Sequence, residues 1–174
     1  MPIDINLSAR LDDIGKRLCR VWNAIPIPNV IMEEPLDFEE RDDQDFLSGK
    51  SFDTVSETDW IKNAKTFTSL TANAARYYLG AYLLRVICDL YPSETPFKCR
   101  GLPDIVLVSC LLNADWVEPV AALMSAEERI LVSEIITLLI DNHAIFRLQV
   151  SEIKGLERRR DLLGRGTSSR EQGK

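Results

Sequence analysis

Few residues in this chain have the type and spacing to do chemistry. The one histidine, His143, stands in "DNHAIF", and an acyl-transfer triad or an imidazole proton shuttle would have to be built around it alone. A capping or surface role near a helix end is the simpler reading. The carboxylates of "EERDDQD" could attract a divalent cation, but they lack the alternation and central glycine of a calcium loop. Cys88, Cys99 and Cys110 are equally spaced, which suggests zinc. Pro92 and Pro103 interrupt the helix between them and no close cysteine pair exists, so no metal is expected. With no phosphate-cradling glycine loop, nucleophile elbow or paired-histidine motif, neither a catalytic residue nor a cofactor is expected.

Charge carries more information than these motifs. Residues 1–60 hold six basic and fourteen acidic side chains, 6 − 14 = −8, whereas residues 146–174 hold eight and four, 8 − 4 = +4. An acidic first third argues against nucleic acid as a partner, because phosphates need a basic footprint. It suits a basic protein partner, for which complementary potentials speed encounter and fix orientation. The candidate contacts are Glu33, Glu34, Asp37, Glu39, Glu40, Asp42, Asp43 and Asp45. The "ERRRD" segment, Glu157 to Asp161, reads as a solvated or internally paired face.

The elements that must position these residues are helical. The chain has 174 residues, 45% apolar and 28% charged, enough for one compact domain with its own core. From Leu7, apolar residues recur at Leu11, Ile14, Leu18, Val21 and Ile25, the stripe of an amphipathic helix. Pro26, Pro28 and Pro35 make "IPIPNVIMEEP" an extended connector. Glu33 to Trp60 carries eleven acidic residues against Arg41 and Lys50. One short helix and otherwise a surface loop are expected there, anchored by Leu36, Phe38, Phe46, Leu47, Phe52 and Trp60. A second short helix should run from about Glu57 to Ala64.

Thr71 is the expected N-cap of a long helix running to about Leu90. Apolar surface covers most of its circumference, from Ala74, Tyr77, Tyr78, Ala81, Leu84, Val86, Ile87 and Cys88, which makes it central, packed on more than one side. Its tyrosines read as core residues whose hydroxyls reach surface or backbone partners. Arg76 is expected to pair with an acidic residue of the 33–59 segment and hold that segment against the helix. Gly101 to Leu112 forms a further helix with Pro103 in its first turn, and the short "EPVAALM" leads into a helix opened by a Ser125–Glu128 capping box and ending near Asn142. A basic helix to about Leu163 comes last. The fold class is all-α, a single-domain bundle of about six helices over residues 1–163 with an acidic loop segment, and residues 164–174 are expected to be a disordered tail.

The longest apolar run, "IVLVSCLL", is far short of the roughly 20 residues that span a bilayer, so no membrane association is expected. "MPIDINLSARLDD" lacks the features of a secretory signal, and the scattered cysteines suit free thiols, so the expected localisation is cytoplasmic.

Trp60, then "FTSLTANAARYYLGAYLL", then "MSAEERILVSEIITLLI" resembles a family of small bacterial proteins of unknown function. That family pairs a tryptophan with a Leu-Thr helix start, followed by Arg-Tyr-Tyr-Leu-Pro-Ala-Tyr and a helix that begins at Ser-x-Glu-Glu/Gln. The matching positions are Trp60, Leu70, Thr71, Arg76, Tyr77, Tyr78, Leu79, Ala81 and Tyr82, over roughly Asp37 to Ile140. Gly80 stands where the family has proline, so a kink there should be softened. The resemblance implies a helical scaffold similar in size and habit to immunity proteins of bacterial toxin systems. These are small acidic cytoplasmic inhibitors that bind a cognate toxin, in some cases a basic nuclease, and occlude its active site. A small helical enzyme using a carboxylate and His143 in a cleft, or a regulatory adaptor, is the alternative. Oligomeric state is open at this point.

Overall fold

The computed structural model describes residues 5–58, 67–90 and 102–165. The described chain is all-α, as expected, but holds nine helices rather than about six: α1 Ile5–Asn23, α2 Phe38–Leu47, α3 Phe52–Ser56, α4 Ala72–Leu90, α5 Leu102–Leu112, α6 Ala114–Leu123, α7 Ala126–Asp141, α8 His143–Phe146 and α9 Val150–Arg165. Local capping accounts for much of the difference. In the acidic segment Asp37 and Glu40 form a capping box that starts α2, and α3 comes after the left-handed Gly49, at φ 71°, a position suited to a residue without Cβ. "EPVAALM" belongs to a full helix, α6, because the Asn113 side chain accepts from the Asp115 amide and caps it. The helix expected over Glu57–Ala64 falls mainly outside the described residues, as do Trp60, Pro92 and Cys99. Glu57 itself is the C-cap of α3. Helix α9 continues to Arg165, through the start of the stretch expected to be a tail.

Helix α4 is the hub, packing against α1, α3, α5, α6 and α7. Its apolar residues form no one-sided stripe, and Tyr77, Tyr78, Leu79, Ala81, Tyr82 and Leu83 are all buried, which is what a helix with neighbours all round requires. Thr71 caps it as expected: its Oγ1 accepts from the Ala74 amide at 3.3 Å. The same residue ties the helix start to the proline connector, with Thr71 N–H donating to Ile31 O at 2.9 Å and Oγ1 donating to Val30 O at 3.1 Å. Cys88 is exposed and not part of the apolar surface, whereas Cys110 lies in the core. Burial pushes the Cys110 thiol up to about 12.

Trp22 of α1, fully buried, fills the space that Gly80 leaves on α4, and its Nε1–H donates to Arg76 O at 3.1 Å. Helix α4 runs through Gly80 without a break. Along α1 and α7, Arg10, Arg17 and Arg20 pair with Asp141, Glu134 and Glu127 in antiparallel order. Partly exposed pairs of this kind contribute only about 0–1 kcal/mol each. Their main effect is on register.

A Cβ placed on Gly80 would lie 2.3 Å from Trp22 Cδ1, against a rigid indole held by its own hydrogen bond. Gly80→Ala should therefore destabilise the protein by about 1–3 kcal/mol, although alanine is the better helix former by about 1 kcal/mol. Urea denaturation measures the difference, and a more stable variant would show that the indole gives way.

Candidate functional site

The eight candidate carboxylates divide by environment. Asp37 Oδ1 accepts from the Glu40 amide at 2.8 Å, and Glu40 Oε2 accepts from the Asp37 amide at 3.1 Å, so this pair holds the start of α2. Glu34 Oε2 accepts from the Leu36 amide at 3.2 Å. Asp43 is half-buried. Glu39, Asp42 and Asp45 are exposed, and their three-residue spacing places them within ~120° of the helix circumference at ~100° per residue. Glu33 is exposed too, but it sits apart from these three on the wall of two grooves.

Phe38 is 79% exposed and falls within the same arc as Glu39, Asp42 and Asp45. This corrects the expectation that it anchors the segment in the core, as Leu36, Leu47 and Phe52 do, all of them buried. The capping box explains its position. With Asp37 as N-cap, Phe38 opens the helix on the side away from buried Leu47, so the core cannot reach it. The Asp-x-x-Glu spacing of Asp37 and Glu40 is the signal in the sequence that could reveal this start.

The bond that fastens the acidic segment to the scaffold comes from a tyrosine. Tyr78 O–H donates to Leu47 O at 2.7 Å and lies 3.2 Å from Lys50 O, fixing the turn between α2 and α3. Tyr77 packs edge-on against Phe52 at 6.0 Å and against Tyr78 at 5.1 Å. Burial raises the phenol pKa of both residues and of Tyr82, so all three phenols remain neutral. The expectation that these tyrosines are core residues holds for all three, and that of a hydroxyl on a surface or backbone partner holds for Tyr78.

Arg76 does not pair with the acidic segment. Its Nε and Nη2 donate to the two oxygens of Glu128 at 2.9 and 2.6 Å. The reason is positional: one turn into α4, Arg76 faces the start of α7. There Glu128 is only 2% exposed and already accepts from the Ser125 amide at 3.1 Å in its capping box. A buried carboxylate needs a cation far more than an exposed one does. Thus the arginine of "ARYYLGAY" and the capping-box glutamate of "SAEE" bond each other and hold α4 against α7.

Three grooves adjoin one another across the start of α4. The largest, about 670 Å³, lies between the 25–30 connector and the first turns of α4. It shares Glu33, Thr71 and Ala72 with one of about 430 Å³ beside α6, and Ile25, Pro26 and Arg76 with one of about 400 Å³ beside α7. His143 lines none of the three. It is exposed, with Nδ1 3.0 Å from Ile140 O. Among the described residues no group of His, Cys, Asp and Glu is arranged to hold a metal ion, and no single helix is long and apolar enough to cross a membrane. The basic helix α9 packs on α7 and α5, with Arg159 Nε donating to Leu111 O at 3.0 Å. It does not cover the acidic face of α2.

In comparisons with protein-family models, curated proteins and solved structures, no family model, curated protein or solved structure matches the chain.

Arg76→Met keeps the apolar stem of the side chain but strands the Glu128 carboxylate in the core. The expected loss is about 3–5 kcal/mol, the cost of an uncompensated buried charge. Adding Glu128→Gln to that variant should restore part of it. Equal stabilities of wild type and Arg76→Met in denaturant titrations would remove the pair from the account.

Proposed function

We propose that this protein is an immunity-type inhibitor that binds a cognate bacterial toxin in the cytoplasm through the acidic surface centred on α2. The observation that carries the reading is the presentation of Glu39, Asp42 and Asp45 on one exposed helical face, on a helix whose inner side is held by buried Leu47 and by Tyr78. Such a surface arrives at its partner already ordered, so little conformational entropy is lost on binding. Its charge favours a partner with a basic face. A nuclease fits well, because a cleft that binds phosphates must be basic. Covering that cleft would inhibit without any chemistry on the inhibitor's side.

The distribution of the remaining charge supports the same reading. The chain's own arginines on α1 and at Arg76 are paired with α7 carboxylates, and α9 lies elsewhere on the bundle. The acidic face of α2 lies apart from these pairs and is exposed at Glu39, Asp42 and Asp45. The alternatives, a small helical enzyme or a regulatory adaptor, gain nothing from His143, whose ring bonds the Ile140 carbonyl at the end of α7.

Asp42→Lys/Asp45→Lys reverses the charge at two exposed helical positions and leaves the capping box intact. Association of this variant with the partner purified on the wild-type chain should slow by about tenfold or more at low salt, with an unchanged thermal melt. Unchanged association at low salt would mean that the partner binds another surface.

A further inference from the structure

The largest groove has a built wall, an apolar rim and one unbalanced charge. Its outer wall is the extended segment Ile25–Val30, in which Ile27 is 39% and Val30 63% exposed. Two prolines, Pro26 and Pro28, fix their φ angles and remove two backbone donors. The wall is held to α4 by the two Thr71 bonds to Val30 O and Ile31 O and by the bridge between Met32 and Leu70. It is therefore preformed. Of the two charged side chains that line the groove, Arg76 is already paired with buried Glu128. Glu33, exposed and standing where this groove meets its neighbour, sets the sign.

Pro26 and Pro28 remove the backbone donors along one edge of this segment, which favours recognition through side chains there. A volume of about 670 Å³ lies within the ~300–1,000 Å³ of sites that enclose a ligand. We infer that this groove is the docking site for a basic segment of the protein partner, which seats an apolar side chain against Ile27 and Val30 and places a Lys or Arg beside Glu33. The inference rests on the proposed reading that the partner is a basic protein. It adds a second contact, separate from α2, where apolar burial supplies the grip and Glu33 the selection for positive charge. Exposed Val30 and Ile27 then have a reason to stand in solvent in the free protein.

The test uses the full chain and two synthetic peptides, acetyl-Lys-Arg-Leu-Lys-Arg-amide and the same peptide with Ser in place of Leu, with amide shifts mapped by NMR at low salt. The Leu peptide should shift Ile27, Asn29, Val30 and Asn73, and should bind about fivefold or more weakly to Val30→Ser and to Glu33→Gln. The Ser peptide should leave those amides unmoved. Shifts confined to α2 with both peptides would overturn the groove and leave the acidic-surface reading standing. Shifts in the groove without any at α2 would do the reverse. The absence of shifts in the groove with the Leu peptide at millimolar concentration overturns the inference outright.

Discussion

The Arg76–Glu128 pair is the constraint on which the other contacts depend. Glu128 is drawn into the core because the start of α7 needs its carboxylate: it bonds the Ser125 amide while its own amide bonds Ser125 Oγ. A charge taken out of water in this way must meet a cation held in fixed geometry, and Arg76 supplies two parallel bonds. The carbonyl of the same arginine accepts from Trp22. One residue thus sets α4 against both α7 and α1, and the Gly80 opening for the indole is a consequence of that register. The arginine ladder between α1 and α7 closes the triangle from the outside.

With α4 placed, the proposed binding surfaces are set by two points along it. At its start, Thr71 fastens the proline connector and shapes the largest groove. Just beyond Arg76, Tyr78 reaches outward to the turn after α2. The acidic helix is therefore an outer layer on a scaffold whose Arg10, Arg17, Arg20 and Arg76 are already paired. That separation matters for the proposed binding: the arginine pairs hold helices in register, while Glu39, Asp42 and Asp45 stand exposed on a regular helix.

Much of this is legible in the sequence where the signal is local. The Ser125–Glu128 capping box, the Thr71 cap, the proline connector and the central character of α4 are all read from residues within one or two turns of each other, and each is present. Long-range pairings are not legible. The eleven carboxylates crowded between Glu33 and Trp60 point Arg76 toward that segment, yet it bonds the one carboxylate that burial makes most demanding. Aromatic residues are usually buried, which points Phe38 inward, but the position of the cap decides which way the first helical residue faces. The grooves have no sequence signal at all, since their walls come from residues about 45 positions apart, such as Pro28 and Asn73.

Affinity capture of the tagged protein from its native host, at low and at high salt with the bound proteins identified by mass spectrometry, tests the central claim most directly. One stoichiometric basic partner, retained at low salt and released as salt rises, is the expected result. Recovery of the protein alone, or of a partner whose retention is indifferent to salt, would contradict it.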